Sequence, residues 1–346
     1  MAGIYDEARR QLSICNACRY CEGYCAVWDE IENMNVFTNS NIQHLSNLCH
    51  DCRECFTVCP YTDPHEFSLN IPKLFSTVRY DSYNDHIKPS FMKKAFRKQS
   101  PLWISVIGVT LLLSFILEFI NTKGNLFAPI SISNMDAIIP DIEFKFFSFV
   151  LYAYVLIMWS YEGYFYYRSI SPEKKQKQKR GLATAIYDAI SHKFFKGGGA
   201  GCNYPEEKNR SYRLIFHPMA FSGFIIDLIA ILFYSNFNII ITIAYTVGSL
   251  LMVIGSVGLL VGNFISKKKA PSLNAGEFGN QFIIALLLTG VTGFMLPIAS
   301  GTILFIIVFG IHIAFISSIL ILAPYSKFIH PVFRFISLLK YENKDI

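Results

Sequence analysis

Apolar and polar positions divide this chain near residue 100. Up to that point they are mixed; beyond it lie six apolar stretches, at about 101–120, 146–167, 214–234, 239–265, 278–296 and 302–323. Each is close to the roughly 20 residues that an α-helix needs to cross a hydrocarbon core of about 30 Å. Asp227 is the only formal charge between Leu214 and Ser266, and there is none between Glu277 and Lys327. Polar breaks at 235–238 and 297–301 turn these long runs into hairpins. A buried helix of a soluble domain has no reason to run so long without charge. The pattern predicts an all-α chain with a polar amino-terminal domain over 1–95 and a six-helix transmembrane domain over 96–346.

Composition agrees with that division. The chain has 346 residues, 52% hydrophobic and 16% charged, with a mean hydropathy of +0.36. Soluble domains are about a quarter charged, so an ordinary cytosolic enzyme is excluded, as are disordered, collagenous and small disulfide-rich chains. Residues 1–13 carry Asp6, Glu7, Arg9 and Arg10, so no secretory signal peptide is expected. The net charge of +6 does not call for a nucleic-acid partner, because 29 of the 31 lysines and arginines fall on one side of the predicted helices. They lie before helix one, in the 168–213 loop, in the 266–277 loop and after 323; only Lys123 and Lys145 fall on the other side. Positive charge accumulates on the cytoplasmic side, which predicts a multi-pass protein of the cytoplasmic membrane with both termini inside. The basic run over 171–180 reads as a solvated stop, with docking of an acidic partner or of anionic headgroups as the other reading. The glycine run at 197–201 lacks the spacing and the preceding strand of a dinucleotide fingerprint.

The sharpest chemical signal is a repeated cysteine quartet. Cys15, Cys18, Cys21 and Cys25 recur with the same 2-2-3 spacing as Cys49, Cys52, Cys55 and Cys59, the last followed by Pro60. This is the ligand spacing of two-cluster ferredoxins, in which the fourth cysteine of each run serves the other cluster. The expected cofactors are two [4Fe–4S] clusters, one on Cys15, Cys18, Cys21 and Cys59, the other on Cys49, Cys52, Cys55 and Cys25. Structural zinc would not ask for two identical quartets, and disulfides are disfavoured on the reducing side of the membrane. The segment between the quartets, 27–48, reads as helical with a break near 39–41. Tyr20, Tyr24, Phe56 and Tyr61 read as packing around the clusters. Cys202 remains outside both sets, either an inert small side chain or a redox or partner contact.

Histidines supply a second candidate centre. His44, His50, His65 and His86 fall in the cysteine domain and read as surface or cluster-shell residues, and His192 falls in the basic loop. His217, His312 and His330 lie in or beside apolar helices, where haem ligation is a common role. His217 is roughly 6 Å into helix three, His330 is at the cytoplasmic interface, and His312 is about 16 Å deeper than His217. Depth therefore pairs His217 with His330 as the two axial ligands of a b-type haem. His312 and His330, 18 residues apart, would face the same way unless Pro324 turns the chain. His312 is left for a second haem, a quinone or a neighbouring helix, and Asp227 for proton handling. Glu118 and Glu162 lie near helix ends and read as interfacial.

These features together resemble the membrane-bound component B of citrate and tricarballylate utilisation. The resemblance rests on both quartets, the 197–202 run, residues 213–224 and the tail Ala323-Pro324-Tyr325-Ser326-Lys327-Phe328-Ile329-His330. It covers almost the whole chain and implies electron flow from a soluble FAD-containing tricarballylate dehydrogenase to the membrane quinone pool. The tail also resembles the last helix of the respiratory nitrate reductase gamma subunit, whose equivalents of His312 and His330 bind haem b. The family carries His-His where this chain has His217-Pro218, which points to one haem rather than two. No site for an organic substrate is evident in the sequence, so substrate oxidation would belong to the partner. Two rivals remain open: the membrane subunit of another dehydrogenase or heterodisulfide-reductase-like complex, and a transporter whose clusters sense redox state.

The charge distribution makes a testable prediction. Tags at both termini should be protected in sealed right-side-out vesicles, and a tag after Asn134 should be cleaved by external protease. External cleavage within 171–181 would overturn this topology.

Overall fold

The computed structural model describes residues 2–171, 181–191, 193–196, 212–233, 238–265 and 273–342. The basic run after Ser171, His192, the glycine run and Cys202 lie outside the described residues. Within them the fold is helical and contains no strand.

Five helices build the cysteine domain: α1 (Ala2–Cys18), α2 (Ala26–Glu32), α3 (Asn39–Leu48), α4 (Glu54–Thr57) and α5 (Ile71–His86). Their apolar faces meet in a core that includes Leu12, Ile31, Ile42, Leu45 and Phe75, all 1% exposed or less. The helix break expected near 39–41 falls earlier, over 33–38. Thr38 accepts the Asn41 N–H and caps α3, so the asparagines open a helix instead of ending one. A short α6 (Met92–Phe96) leads into the apolar half.

Five further helices are long and apolar enough to cross a membrane: α7 (Gln99–Asn121), α8 (Asp141–Ile170), α10 (Tyr212–Ile231), α11 (Ile239–Ile265) and α12 (Leu273–Ala299). Between α8 and α10 lies the short α9 (Gly181–Ser191). The sixth stretch forms α13 (Phe305–Ile321), which has 17 residues and spans about 26 Å. It is shorter than expected because Gly301, at φ +76°, turns the chain before it. At its other end the chain leaves the helix after Ile321, ahead of Pro324. His312 and His330 thus sit on different helices, and the single helix that would carry both does not form.

Packing among these helices relies on small residues and interhelical hydrogen bonds, since apolar side chains gain little from one another in lipid. On α11, Gly248, Gly255 and Gly262 recur every seven residues and face α10. A Cβ on Gly255 would stand 2.4 Å from the Ala220 nitrogen, and one on Gly223 would stand 2.4 Å from the Gly248 oxygen. Only a residue without a side chain permits that approach. Between α7 and α13, Thr110 and Ser318 hydroxyls meet at 2.8 Å, and Ser114 donates to the Gly310 carbonyl at 3.0 Å.

Two acids read as interfacial are in fact buried. Glu118 is 0% exposed, its carboxylate seated where Gly310 leaves space. Glu162 is 1% exposed and accepts the Lys88 N–H at 3.1 Å, anchoring the chain as it enters the bundle. Their helices extend past the apolar stretch and pack against protein, so nearness to a helix end did not mean nearness to water. Of the cysteine-domain histidines, His50 lines the inner cavity, and His44 and His86 are corrected similarly. His44 is fully buried beside Glu30, 3.6 Å away. His86 joins Ser82 O and Ser169 Oγ, linking α5 to α8.

The carboxy-terminal helix, α14 (His330–Glu342), is shared by both halves. Phe333 stacks on Tyr166 at 4.3 Å inside the membrane-side core. Leu338, fully buried, belongs to the core of the cysteine domain. The tail therefore straps one half to the other.

Gly255→Leu should force α10 and α11 apart. Overpacking costs about 1–3 kcal/mol where neighbours can shift, and here the nearest atoms are backbone. A lowered Tm of the detergent-solubilised protein is expected; an unchanged Tm would show that this contact is not tight.

Candidate functional site

Each cysteine set lines a cavity. Cys25, Cys49, Cys52 and Cys55 line one, together with Phe75 and Phe194. Cys15, Cys18, Cys21 and Cys59 line a smaller one with Tyr20 and Tyr61. The fourth cysteine of each run thus faces the cavity of the other run. The local cause is visible at Cys25, which is the extended residue ahead of α2 and leaves its own loop at that point. Trp28, one turn further, lines both cavities and stands between them.

Among the described residues, no group of three or more His, Cys, Asp or Glu closes around a single metal ion. A [4Fe–4S] cluster makes a different demand, with four thiolates spread over the corners of a cube. The electrostatics of the quartets suit such a group. Burial, together with the neighbouring thiols, raises the Cys15, Cys21 and Cys52 thiols to about 12. Sulfurs gathered this way ionise at a high cost unless positive iron lies among them.

The larger cavity is the inner one; Arg53 is part of its lining, and Arg79, Arg213, Arg334 and Lys327 gather around its loop. Arg213, near the start of α10, donates to Asp51 Oδ2 at 2.6 Å and to the Asp51 carbonyl at 2.9 Å. The Cys49 carbonyl accepts from Arg79 Nη2 at 2.9 Å and from Arg334 Nη2 at 3.0 Å. Burial would raise Asp51, but Arg213, Arg53 and Arg79 hold its carboxyl well below the usual carboxylate range. Burial and the nearby Arg79 bring Arg334 down to about 10, which leaves it charged at neutral pH. Burial, with Arg213 and Arg79 close by, brings Lys327 down to about 8. Positive charge is concentrated between the inner cavity and the helices.

His217 and His330, one helical turn from Arg213 and Arg334 respectively, have ring centroids 6.2 Å apart and planes at 79°. Two imidazoles on opposite faces of one metal, each with metal–N about 2.0 Å and its ring centre about 1.1 Å further, give roughly that separation. His330 Nδ1 donates to the Lys327 carbonyl at 2.7 Å. Burial and Arg334 hold this histidine well below its ordinary range, so the ring is neutral and Nε2 keeps its lone pair. Pro218, directly after His217, sits inside α10.

His312 is placed apart from that pair. Its Nε2 meets the Tyr245 hydroxyl at 3.1 Å, and its Nδ1 meets the Thr292 hydroxyl at 3.1 Å. Gly293 makes room for this contact, since a Cβ there would stand 2.9 Å from the Tyr245 oxygen and 3.1 Å from the His312 ring. Asp227 accepts from Ser249 at 3.3 Å and is 1% exposed. Both residues therefore belong to a buried polar network between α10, α11, α12 and α13.

Sequence reasoning missed the cation group. Arg79, Arg334 and Lys327 are scattered over 256 positions and show no motif. The one available signal was that Arg334 stands one helical turn after His330.

Comparisons with known proteins agree over both halves. Residues 8–85 match the family described as Citrate utilization protein B Fer4-like domain, and residues 147–345 match Citrate utilization protein B. The Citrate utilization protein B of Escherichia coli is 30% identical over 351 residues, which cover 97% of this chain and 91% of that protein. No solved structure matches the chain.

Proposed function

The chain belongs to the citrate utilization protein B family, and from that premise we propose that it carries electrons from a soluble flavin-containing dehydrogenase of tricarballylate or citrate utilisation to the membrane quinone pool. The Fer4-like domain and the apolar helices support electron transfer at a membrane. The observation that carries the finer reading is spatial order. Two four-cysteine cavities share Trp28, and the loop of the inner one is bonded through Asp51 and Cys49 to Arg213 and Arg334, each one helical turn from a member of the His217–His330 pair.

In this reading Cys15, Cys18, Cys21 and Cys59 hold one [4Fe–4S] cluster, and Cys49, Cys52, Cys55 and Cys25 hold the other. His217 and His330 hold haem b, which supplies a one-electron carrier when bound. The hydrogen bond of His330 Nδ1 to Lys327 leaves Nε2 as the ligating nitrogen, and the part-buried cations would offer partners for the carboxylates such a group carries. His312 has both ring nitrogens engaged by the Tyr245 and Thr292 hydroxyls, which favours a link to the neighbouring helices over a second haem. Asp227, linked through Ser249 toward Tyr245, is the candidate to handle the quinone's protons. Both termini and the cysteine domain would lie in the cytoplasm, within reach of a soluble flavoprotein. Oxidation of the organic substrate belongs to that partner.

Cys25→Ser should disturb the cluster of Cys49, Cys52 and Cys55 and spare the other, as read by EPR of the reduced protein. Disturbance of only the Cys15–Cys21 cluster would reject the crossed assignment.

His217→Ala and His330→Ala should each remove the same low-spin b-type signal from a dithionite-reduced minus oxidised spectrum, and His312→Ala should leave it. Absence of haem from the wild-type protein, or its loss in His312→Ala alone, would overturn the assignment. A flavoprotein that copurifies and reduces quinone only with this chain present would separate the relay from a transporter.

A further inference from the structure

The two cysteine cavities differ in what surrounds them. At the outer one, Cys18 is exposed and Tyr20 is 54% exposed. The arginine bonded to its loop backbone, Arg19 to the Asn16 carbonyl at 3.3 Å, is a solvent-exposed side chain. Water and salt screen a charge in that position. At the inner cavity, Arg79 from α5 and Arg334 from α14 both donate to the carbonyl of a ligand cysteine, Cys49. Arg79 also donates to the Ser46 carbonyl at 2.8 Å, which keeps its fork from swinging away. Asp51 and Glu54 are the anions in this loop; Arg213 and Arg53 both pair with Asp51, and Arg79 and Arg334 outnumber Glu54. The inner site therefore carries excess positive charge in a poorly hydrated setting.

A cluster gains one negative charge on reduction. Nearby cations and hydrogen bonds to the ligand loop stabilise the reduced form and raise its potential, and they do so most strongly where water is excluded. Resting on the two-cluster reading above, we propose that Arg79 and Arg334 raise the potential of the cluster on Cys25, Cys49, Cys52 and Cys55 above that of the cluster on Cys15, Cys18, Cys21 and Cys59. The exposed cluster is then the electron entry and the inner one the exit. In each step one electron leaves the outer cluster, which is oxidised, and reduces the inner cluster by way of the gap that Trp28 fills. No bond forms or breaks and no proton moves. Arg334 lies one turn beyond His330 on the same helix, so the side chain that tunes the exit also holds it next to the histidine pair. Both arginines are positioning residues and touch no organic substrate.

The test is an EPR-monitored redox titration of the purified full chain and its variants in detergent, with the inner signal identified through Cys25→Ser. Arg334→Gln should lower the inner midpoint by at least tenfold in the one-electron equilibrium, about 59 mV, and leave the outer midpoint in place. Arg79→Gln should act in the same direction, and Arg334→Lys should keep most of the wild-type potential because it keeps the charge. An unchanged inner midpoint in Arg334→Gln, an equal shift of both clusters, or a wild-type inner midpoint below the outer one would overturn the proposal. So would loss of the inner cluster from both charge-removing variants, since the arginines would then be braces alone. A wild-type protein with no cluster signal would instead reject the two-cluster reading itself.

Discussion

Asp51 stands between two cysteines of the second quartet, and Arg213 grips it at 2.6 Å. Arg213 is four residues ahead of His217, so this ion pair links the lining of the inner cavity to the helix that presents a histidine. Both side chains are only about a fifth exposed, so removing one partner leaves the other charge part-buried and uncompensated. The spacing between the cysteine domain and the histidine pair therefore depends on a contact that tolerates little change. Arg334 makes the second half of the clamp from α14.

The same junction explains why the tail returns to the amino-terminal half. Phe333 is buried on the membrane side and Leu338 in the cysteine domain. Neither half covers these residues without the other, and apolar burial drives the two together. His330 begins that helix, and its ring orientation follows from the hydrogen bond to Lys327 O. The position of this histidine is thus set by packing several residues away from it.

Among the helices, close approach replaces the hydrophobic effect as the source of order. The α10–α11 contact exists because Gly223, Gly248 and Gly255 have no side chains to hold the backbones apart. That contact also brings Asp227 and Ser249 together and sets Tyr245 beside His312. Buried hydroxyls and carboxylates with few partners are expensive in such a setting, and gathering them into one network lowers the cost.

What the sequence by itself determined was whatever depends on periodicity and local spacing. The apolar stretches, the repeated quartets and the charge asymmetry are each contained in a short window, and a window is enough to define a helix or a ligand loop. Depth along a helix, at a fixed rise per residue, was also enough to match His217 with His330. The sequence misjudged Glu118, Glu162, His44 and the end of α13, because burial and termination there depend on which neighbour arrives. Only the tertiary structure decided that Arg79, Arg213, Lys327 and Arg334 converge on one junction. They come from separate elements, and charges so close together repel one another. No local rule predicts such a group, which persists because the fold surrounds it with Asp51, backbone carbonyls and the packing of α14.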